Sequence, residues 1–231
     1  MSSKRGLQLN KVVLLGRTFE EYCGYFLLEP QKLAGKHVLD VGGGVSSFTA
    51  EANARGIPAT SVDPIYTLST AEIAQRAGPD LDHVIEAVRD LPTYRWTTYR
   101  NPEHVRDLRE RALKSFLHDY PLHRERYVAA SLPHLPFSEG VFDLTLVSYF
   151  LFVYQDHFDY EFHRAAILEL MRVTSGELRI YPTVTFEAEQ SAHLSRLRHD
   201  PACRELHFEE VRTNFEFLVN SNSFLRITRH A

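Results

Sequence analysis

Two acids and a run of glycines carry the chemistry that can be read from this chain. Asp40 closes the short apolar run His37-Val38-Leu39-Asp40, and Gly42, Gly43 and Gly44 follow directly. An apolar run closed by an acid reads as the C-terminal end of a buried strand, and glycines there let backbone approach a ligand closely. Ser46 to Arg55 then reads as a helix, with Ser46 or Ser47 as N-cap and Gly56 just past its end. A second acid, Asp63, closes the strand-like run Ala59 to Asp63, 23 positions after the first. An acid about 20 residues on is placed to grip a ribose diol. The glycine pattern is Asp-x-Gly-x-Gly. A dinucleotide site needs Gly-x-Gly-x-x-Gly; Gly42 and Gly44 fit its first two positions, but Ser47 stands at the third. An acid ahead of the glycines also disfavours a phosphate, so the loop suits a cationic, phosphate-free ligand.

The rest of the chain must position these groups. Val12 to Leu15 is a short strand or an extended packing segment, followed by Gly16-Arg17. Thr18 with Glu21 is a capping-box signature for a helix running to about Leu28, with Phe19, Tyr22, Cys23 and Phe26 on one face. Ser69 to Gly78 and Asp82 to Leu91 read as two helices, and Pro102 to Tyr120 as a long charged one with Glu103–Arg106 and Asp107–Arg111 pairs. Arg126 to Ala130 is a third strand. Leu144 to Tyr149 is a buried fourth strand, whose C-terminal end faces the ligand crevice of an open α/β sheet. Phe162 to Val173 reads as a helix, Glu177 to Tyr181 as a fifth strand and Ala188 to Leu197 as another helix. Three runs in the tail, at Phe208 to Val211, Phe215 to Val219 and Phe224 to Thr228, are strand-like.

Asp40 with its spaced glycines, Asp63 after the second strand, and Leu135-Pro136-Phe137 followed by Phe142-Asp143-Leu144 together resemble the class I S-adenosylmethionine (SAM) dependent methyltransferases, over about Gly16 to Ile180. The resemblance implies an α/β fold: one Rossmann-like domain over residues 1–231, a seven-stranded methyltransferase sheet with helices on both faces. It implies an N-terminal helical lid within residues 17–35, although the same aromatic stripe could simply pack against the sheet. Residues 68–124 exceed one crossover and could form a helical cap over the site. SAM is the implied cofactor. Asp40, Gly42 and Gly44 belong to the first motif, Asp63 to the ribose hydroxyls, and Ile65 (Tyr66 as second choice) to the adenine face. Many relatives carry an acid after the third strand for the adenine amine. Here Ala130 and Ser131 stand there, leaving Ser131 or a backbone carbonyl. Arg17 either holds the methionine carboxylate bidentately or is a surface charge. Ser148, Tyr149 and Phe150, with aromatics to Phe162, either border the sulfonium through cation–π attraction or pack as core and rim. Tyr181 is an acceptor-pocket residue or a strand-end aromatic that only packs.

No proline-rich amide-binding tetrapeptide follows the fourth strand; Ser148-Tyr149-Phe150-Leu151 stands in its place. With a formal net charge of −4, this favours a small-molecule acceptor over nucleic acid. A looser resemblance, in size and in the aromatic lid and wall, links the chain to the methyltransferase-fold azetidine-2-carboxylate synthases. There the SAM amine attacks its own side-chain carbon next to sulfur and releases methylthioadenosine. Tyr149, Tyr181 and Ser148 would orient the amine and Arg17 would hold the carboxylate. A SAM-binding regulator without turnover is a third reading. His157, Asp159, Glu161 and His163 fit no common metal-site spacing. Cys23 and Cys203 read as free thiols of a reducing compartment. The longest apolar stretches are too short for a secretory core or a bilayer span, so a soluble cytoplasmic protein with no membrane partner is expected.

Overall fold

A computed structural model of the chain describes residues 6–230. Seven strands form one sheet in the order β3-β2-β1-β4-β5-β7-β6. In chain order they are β1 (Val38–Val41), β2 (Ala59–Val62), β3 (Tyr127–Val128), β4 (Phe142–Ser148), β5 (Thr174–Tyr181), β6 (Leu206–Arg212) and β7 (Ser223–Arg229). β7 alone runs against the others, pairing antiparallel with β5 on one side and β6 on the other. The chain walks outward from β1 to β3 and then returns to lay β4 beside β1. This reversal opens a crevice beyond the carboxyl ends of β1 and β4, where open α/β sheets bind ligands.

The alternation of side chains along buried strands separates two cores. Val38, Leu144 and Leu146 face α1 (Phe19–Phe26), α2 (Phe48–Ala54), α3 (Thr70–Val88) and α4 (Pro102–Asp119). Leu39, Val41 and Val147 face α5 (Tyr160–Val173) and α6 (Ala192–Leu197). The expected Thr18/Glu21 capping box is present, and Leu27 ends α1 in the left-handed conformation. Helix α1 borders the crevice through Tyr22 rather than standing over it as a separate lid. Its aromatic face is buried in the sheet side of the core, with Tyr25 stacked on Tyr181 at 4.5 Å and Tyr22 on Phe48 at 4.4 Å.

Four elements differ from the sequence expectation. The two helices expected on either side of Pro79 are one continuous helix, α3. Pro79 removes a single donor, and Gly78 before it has no Cβ to meet the proline ring. Phe215 to Val219 is not a sheet strand; one bridge, Leu218 to Tyr94, ties it to the α3–α4 connection while Phe215 packs edge-on against Tyr25. Helix α6 starts late because Ala188 is left-handed and Ser191 caps the helix. The 68–124 segment, which could form a cap, does not line the crevice: α3 packs on α4 and α4 on α2.

One buried ion pair fixes α4 to α1. Arg109 donates to both carboxylate oxygens of Glu21 at 2.7 and 2.8 Å, to the Tyr99 hydroxyl at 3.0 Å and to the Gly16 carbonyl at 3.1 Å. Glu21 is desolvated, which raises its pKa, but the Arg109 charge, the Thr18 N–H and the Tyr99 hydroxyl outweigh this and hold it below its ordinary value. Removing one member strands the other in the core. Arg109→Met is expected to cost about 3–5 kcal/mol, and Glu21→Gln in the same chain to recover most of it. Urea unfolding of the single and double variants measures both; a single-variant loss below about 1 kcal/mol would mean the pair is solvated.

Candidate functional site

Beyond the ends of β1, β2 and β4 lies a cavity of about 470 Å³. Its floor is the glycine turn after β1. Gly42 (φ +67°) and Gly44 (φ +53°) adopt left-handed backbone that favours glycine. A Cβ at Gly42 would sit 3.3 Å from the Phe150 ring, while one at Gly44 would meet only Asp63 and Leu14, at 3.9 and 4.0 Å. Gly43, the position the motif leaves free, is the most restricted: a Cβ there would fall 2.1 Å from Ser61 Oγ and 2.5 Å from Asp40 Oδ2.

Asp63 faces the cavity as expected. Its oxygens accept from the Gly44 N–H and the Ile65 N–H, each at 3.0 Å. Burial pushes its pKa up to about 6 against the pull of those two donors. Each carboxylate oxygen keeps a lone pair for a ligand hydroxyl. Ile65 lies beside it on the cavity wall, and Ser131 is at the exposed rim.

Asp40 does not line the cavity, contrary to the expectation of a binding role. It is buried behind Gly43, accepting from the Tyr22 hydroxyl at 2.8 Å. Burial, with the nearby Asp63 charge adding to it and the Tyr22 hydroxyl opposing, brings its pKa to about 7. Side chains alternate along β1, so Asp40 faces α1 while Val41, which closes the strand, reaches the crevice.

The opposite wall belongs to Arg17 and the end of β4. The Arg17 carbonyl is held by Ser46 Oγ at 2.6 Å, which ties this residue to the glycine turn. Its guanidinium lies 4.2 Å over the Tyr149 ring and donates to the Leu15 carbonyl at 2.6 Å. Tyr149 is itself left-handed (φ +49°), a costly conformation for a bulky residue, and its N–H donates to the Tyr181 carbonyl at 2.6 Å. Among the described residues, seven buried side-chain polar atoms have no hydrogen-bond partner in the protein, and three of them belong to residues on this wall: Arg17 Nε, Ser148 Oγ and the Tyr149 hydroxyl. Phe150 faces the same space, backed by Phe158 and Phe162.

Tyr181 is not part of the cavity. It is buried behind Tyr149, stacked on Tyr25, with its hydroxyl 2.9 Å from Ser221 Oγ. Tyr154 and Tyr160 are likewise outside it, their hydroxyls bonded to the Val13 N–H and to Asp200. In the acidic and histidine-rich run, Asp159 caps α5, and His163 is buried against the Asp159 and Leu151 carbonyls. The larger omission from the sequence reading is the extended segment Val12 to Leu15, which supplies a whole side of the cavity. It is strapped down by Leu14 N–H to Asp80 at 2.9 Å, Lys11 to Asp80 at 2.8 Å and Val13 N–H to Tyr154. Its only sequence signal is an apolar run just before Gly16-Arg17.

The strand order with a single antiparallel β7, the glycine turn after β1 and the acid after β2 define a class I methyltransferase fold. The chain belongs to the family of uncharacterized protein MJ0045 of Methanocaldococcus jannaschii, with which it is 36% identical over 227 residues, 97% of this chain and all of the relative. No family model matches the chain. Among solved structures it is similar to PH0226 protein from Pyrococcus horikoshii OT3, at 15% identity and a TM-score of 0.50 over 91% of this chain and 89% of that one. It is also similar to N-methyltransferase NodS from Bradyrhizobium japonicum WM9, at 14% identity and a TM-score of 0.49 over 92% and 97%. Among the described residues no helix is long and apolar enough to cross a membrane.

The two buried acids titrate in a way that separates them from surface carboxylates. With its folded pKa above the ordinary carboxylate value, Asp40 contributes stability that is full below that value and is lost as pH rises through about 7. Asp40→Asn keeps the proton-bearing character at every pH and should unfold less readily than the native chain at pH 8 but not at pH 4, by on the order of 3 kcal/mol. Paired urea titrations at the two pH values measure this; equal differences at both would show that Asp40 is solvated.

Proposed function

We propose that the cavity binds SAM and that the protein transfers its methyl group to a small molecule. What carries the reading is a set of groups that line one space with no ion-pair partner in it: the Asp63 carboxylate, held by two backbone N–H groups and with lone pairs to spare, and the Arg17 guanidinium, with the Ser148 and Tyr149 side chains beside it. A packed core satisfies such groups, so their convergence favours a polar ligand with both signs of charge. The donor set fits SAM. Asp63 accepts from the ribose hydroxyls, Ile65 lies against the adenine, and Arg17, whose charge no carboxylate in the cavity answers except Asp63 across it, takes the methionine carboxylate. Gly42 and Gly44 keep the floor free of side chains.

When bound, SAM supplies a methyl carbon already activated by its sulfonium. The protein's own work is to hold and desolvate. The Tyr149 and Phe150 rings offer their π faces to positive charge, and the strap over Val12 to Leu15 keeps water from that side. Ser148 and Tyr149 can each donate to or accept from an incoming nucleophile. In-line displacement at an activated carbon draws most of its rate from such positioning.

Asp63→Ala should weaken SAM binding at least a hundredfold, about 3 kcal/mol for two charge-assisted hydrogen bonds lost. Affinity in the native protein should also decline as pH drops below about 6, where Asp63 takes up a proton. Titration calorimetry reads both; unchanged affinity in the variant would overturn the assignment of the ribose. Incubation with SAM alone, followed by mass spectrometry, should leave it intact. Protein-dependent methylthioadenosine, absent with Asp63→Ala, would replace transfer to a second molecule by intramolecular cyclisation.

A further inference from the structure

Behind the wall formed by Arg17 and Tyr149 lies a second, smaller cavity of about 50 Å³. Val13, Leu15, Arg17 and Tyr149 line both spaces, so the two are separated only by those side chains. The far walls are apolar: Leu81, Val84, Ile85 and Val88, which fall on one face of α3, with Tyr94 and Phe217 opposite. Among the described residues no carboxylate lines this cavity. Arg109 reaches it, but its charge is answered by Glu21. Arg17 stands at the boundary of the two spaces, and its Nε has no hydrogen-bond partner in the protein.

Protein interiors close voids of this size unless something fills them. The walls come from the N-terminal segment, α3, α4 and the loop carrying Phe217, regions far apart in sequence. The α3–α4 segment does not line the larger cavity, yet it supplies the largest continuous part of this one's wall. The space holds about four water-sized groups, at roughly 10–15 Å³ for each.

We infer that the smaller cavity is the subsite for the aliphatic part of the methyl acceptor. The acceptor is a small molecule with a chain of about four carbons and a neutral or anionic nucleophile. This rests on the SAM reading above. An ammonium acceptor is disfavoured because it would meet the sulfonium, while the methionine carboxylate is already taken by Arg17. With the chain seated against α3, the nucleophile comes to the Tyr149 hydroxyl on the shared wall. Its lone pair forms the new bond to the methyl carbon while the carbon–sulfur bond breaks and returns its electron pair to sulfur. A hydroxyl or thiol nucleophile passes its proton to water; an anionic one has none to lose.

The test uses the full-length protein saturated with S-adenosylhomocysteine, titrated by calorimetry with straight-chain alcohols from ethanol to hexan-1-ol. Affinity should rise about fourfold per methylene up to about butan-1-ol and then level off or fall. Val84→Phe should flatten that series while S-adenosylhomocysteine binding stays unchanged. Leu9→Phe approaches the same space from the less buried N-terminal segment and should do likewise, which covers a folding failure of the first variant. With S-adenosylhomocysteine bound, a flat series in the native protein, or an unaltered one in both variants, would overturn the inference and make the void a packing defect. Failure of S-adenosylhomocysteine to bind at all would overturn the reading of the larger cavity, and the subsite with it.

Discussion

The glycine turn after β1 has no room for a side chain at Gly43 and little at Gly42, and the site is arranged around that restriction. Gly43 is closed off by Ser61 and Asp40 from below, Gly42 by Phe150 from the side, and Gly44 is left-handed beneath Asp63. Each neighbour is then fixed in turn. Asp63 is oriented by the Gly44 N–H, Ser46 at the end of the turn holds the Arg17 carbonyl, and Phe150 packs on Gly42. Backbone that comes this close to acids, aromatics and an arginine carbonyl gives them a common rigid reference, which is what a site needs to align a ligand.

Charge is partitioned with similar economy. The Glu21–Arg109 pair is buried and self-neutralising, with the Tyr99 hydroxyl and the Gly16 carbonyl taking further donors. It sits next to the cavity wall without entering the larger cavity, and through Gly16 it steadies the backbone that carries Arg17. Arg17 and Asp63 are the charged residues that face that space, on opposite walls, and neither is paired with the other across it. A ligand with a carboxylate at one end and a diol at the other meets both. The strained Tyr149 backbone belongs to the same arrangement, since the left-handed turn swings the ring out of β4 and under the guanidinium.

The strap from Val12 to Leu15 and helix α3 divide the work that a separate lid would do. Asp80 of α3 holds the strap through the Leu14 N–H and Lys11, and Tyr154 holds it through the Val13 N–H. Helix α3 thus acts on the larger cavity at one remove while forming a wall of the smaller one directly.

By itself the sequence determined the first five strands in chain order, the glycine turn, the ribose-type acid Asp63 and the aromatic character of the end of β4. These are local signals: apolar runs closed by acids, glycines at a strand end, a capping box at Thr18. Only the tertiary structure decided which side of each element faces the ligand. Asp40 and Tyr181 lie near the ends of their strands as Asp63 and Ser148 do, and Tyr181 is even the register partner of Ser148, yet both are buried, Asp40 under Gly43 and the Tyr22 hydroxyl and Tyr181 under Tyr25 and Tyr149. The cavity role of Val12 to Leu15 and the choice of two tail runs out of three for the sheet depend on partners far away in sequence: Asp80 and Tyr154 for the first, Tyr25 and Tyr99 against Phe215 for the second. No local pattern records those partners, so packing alone could assign them.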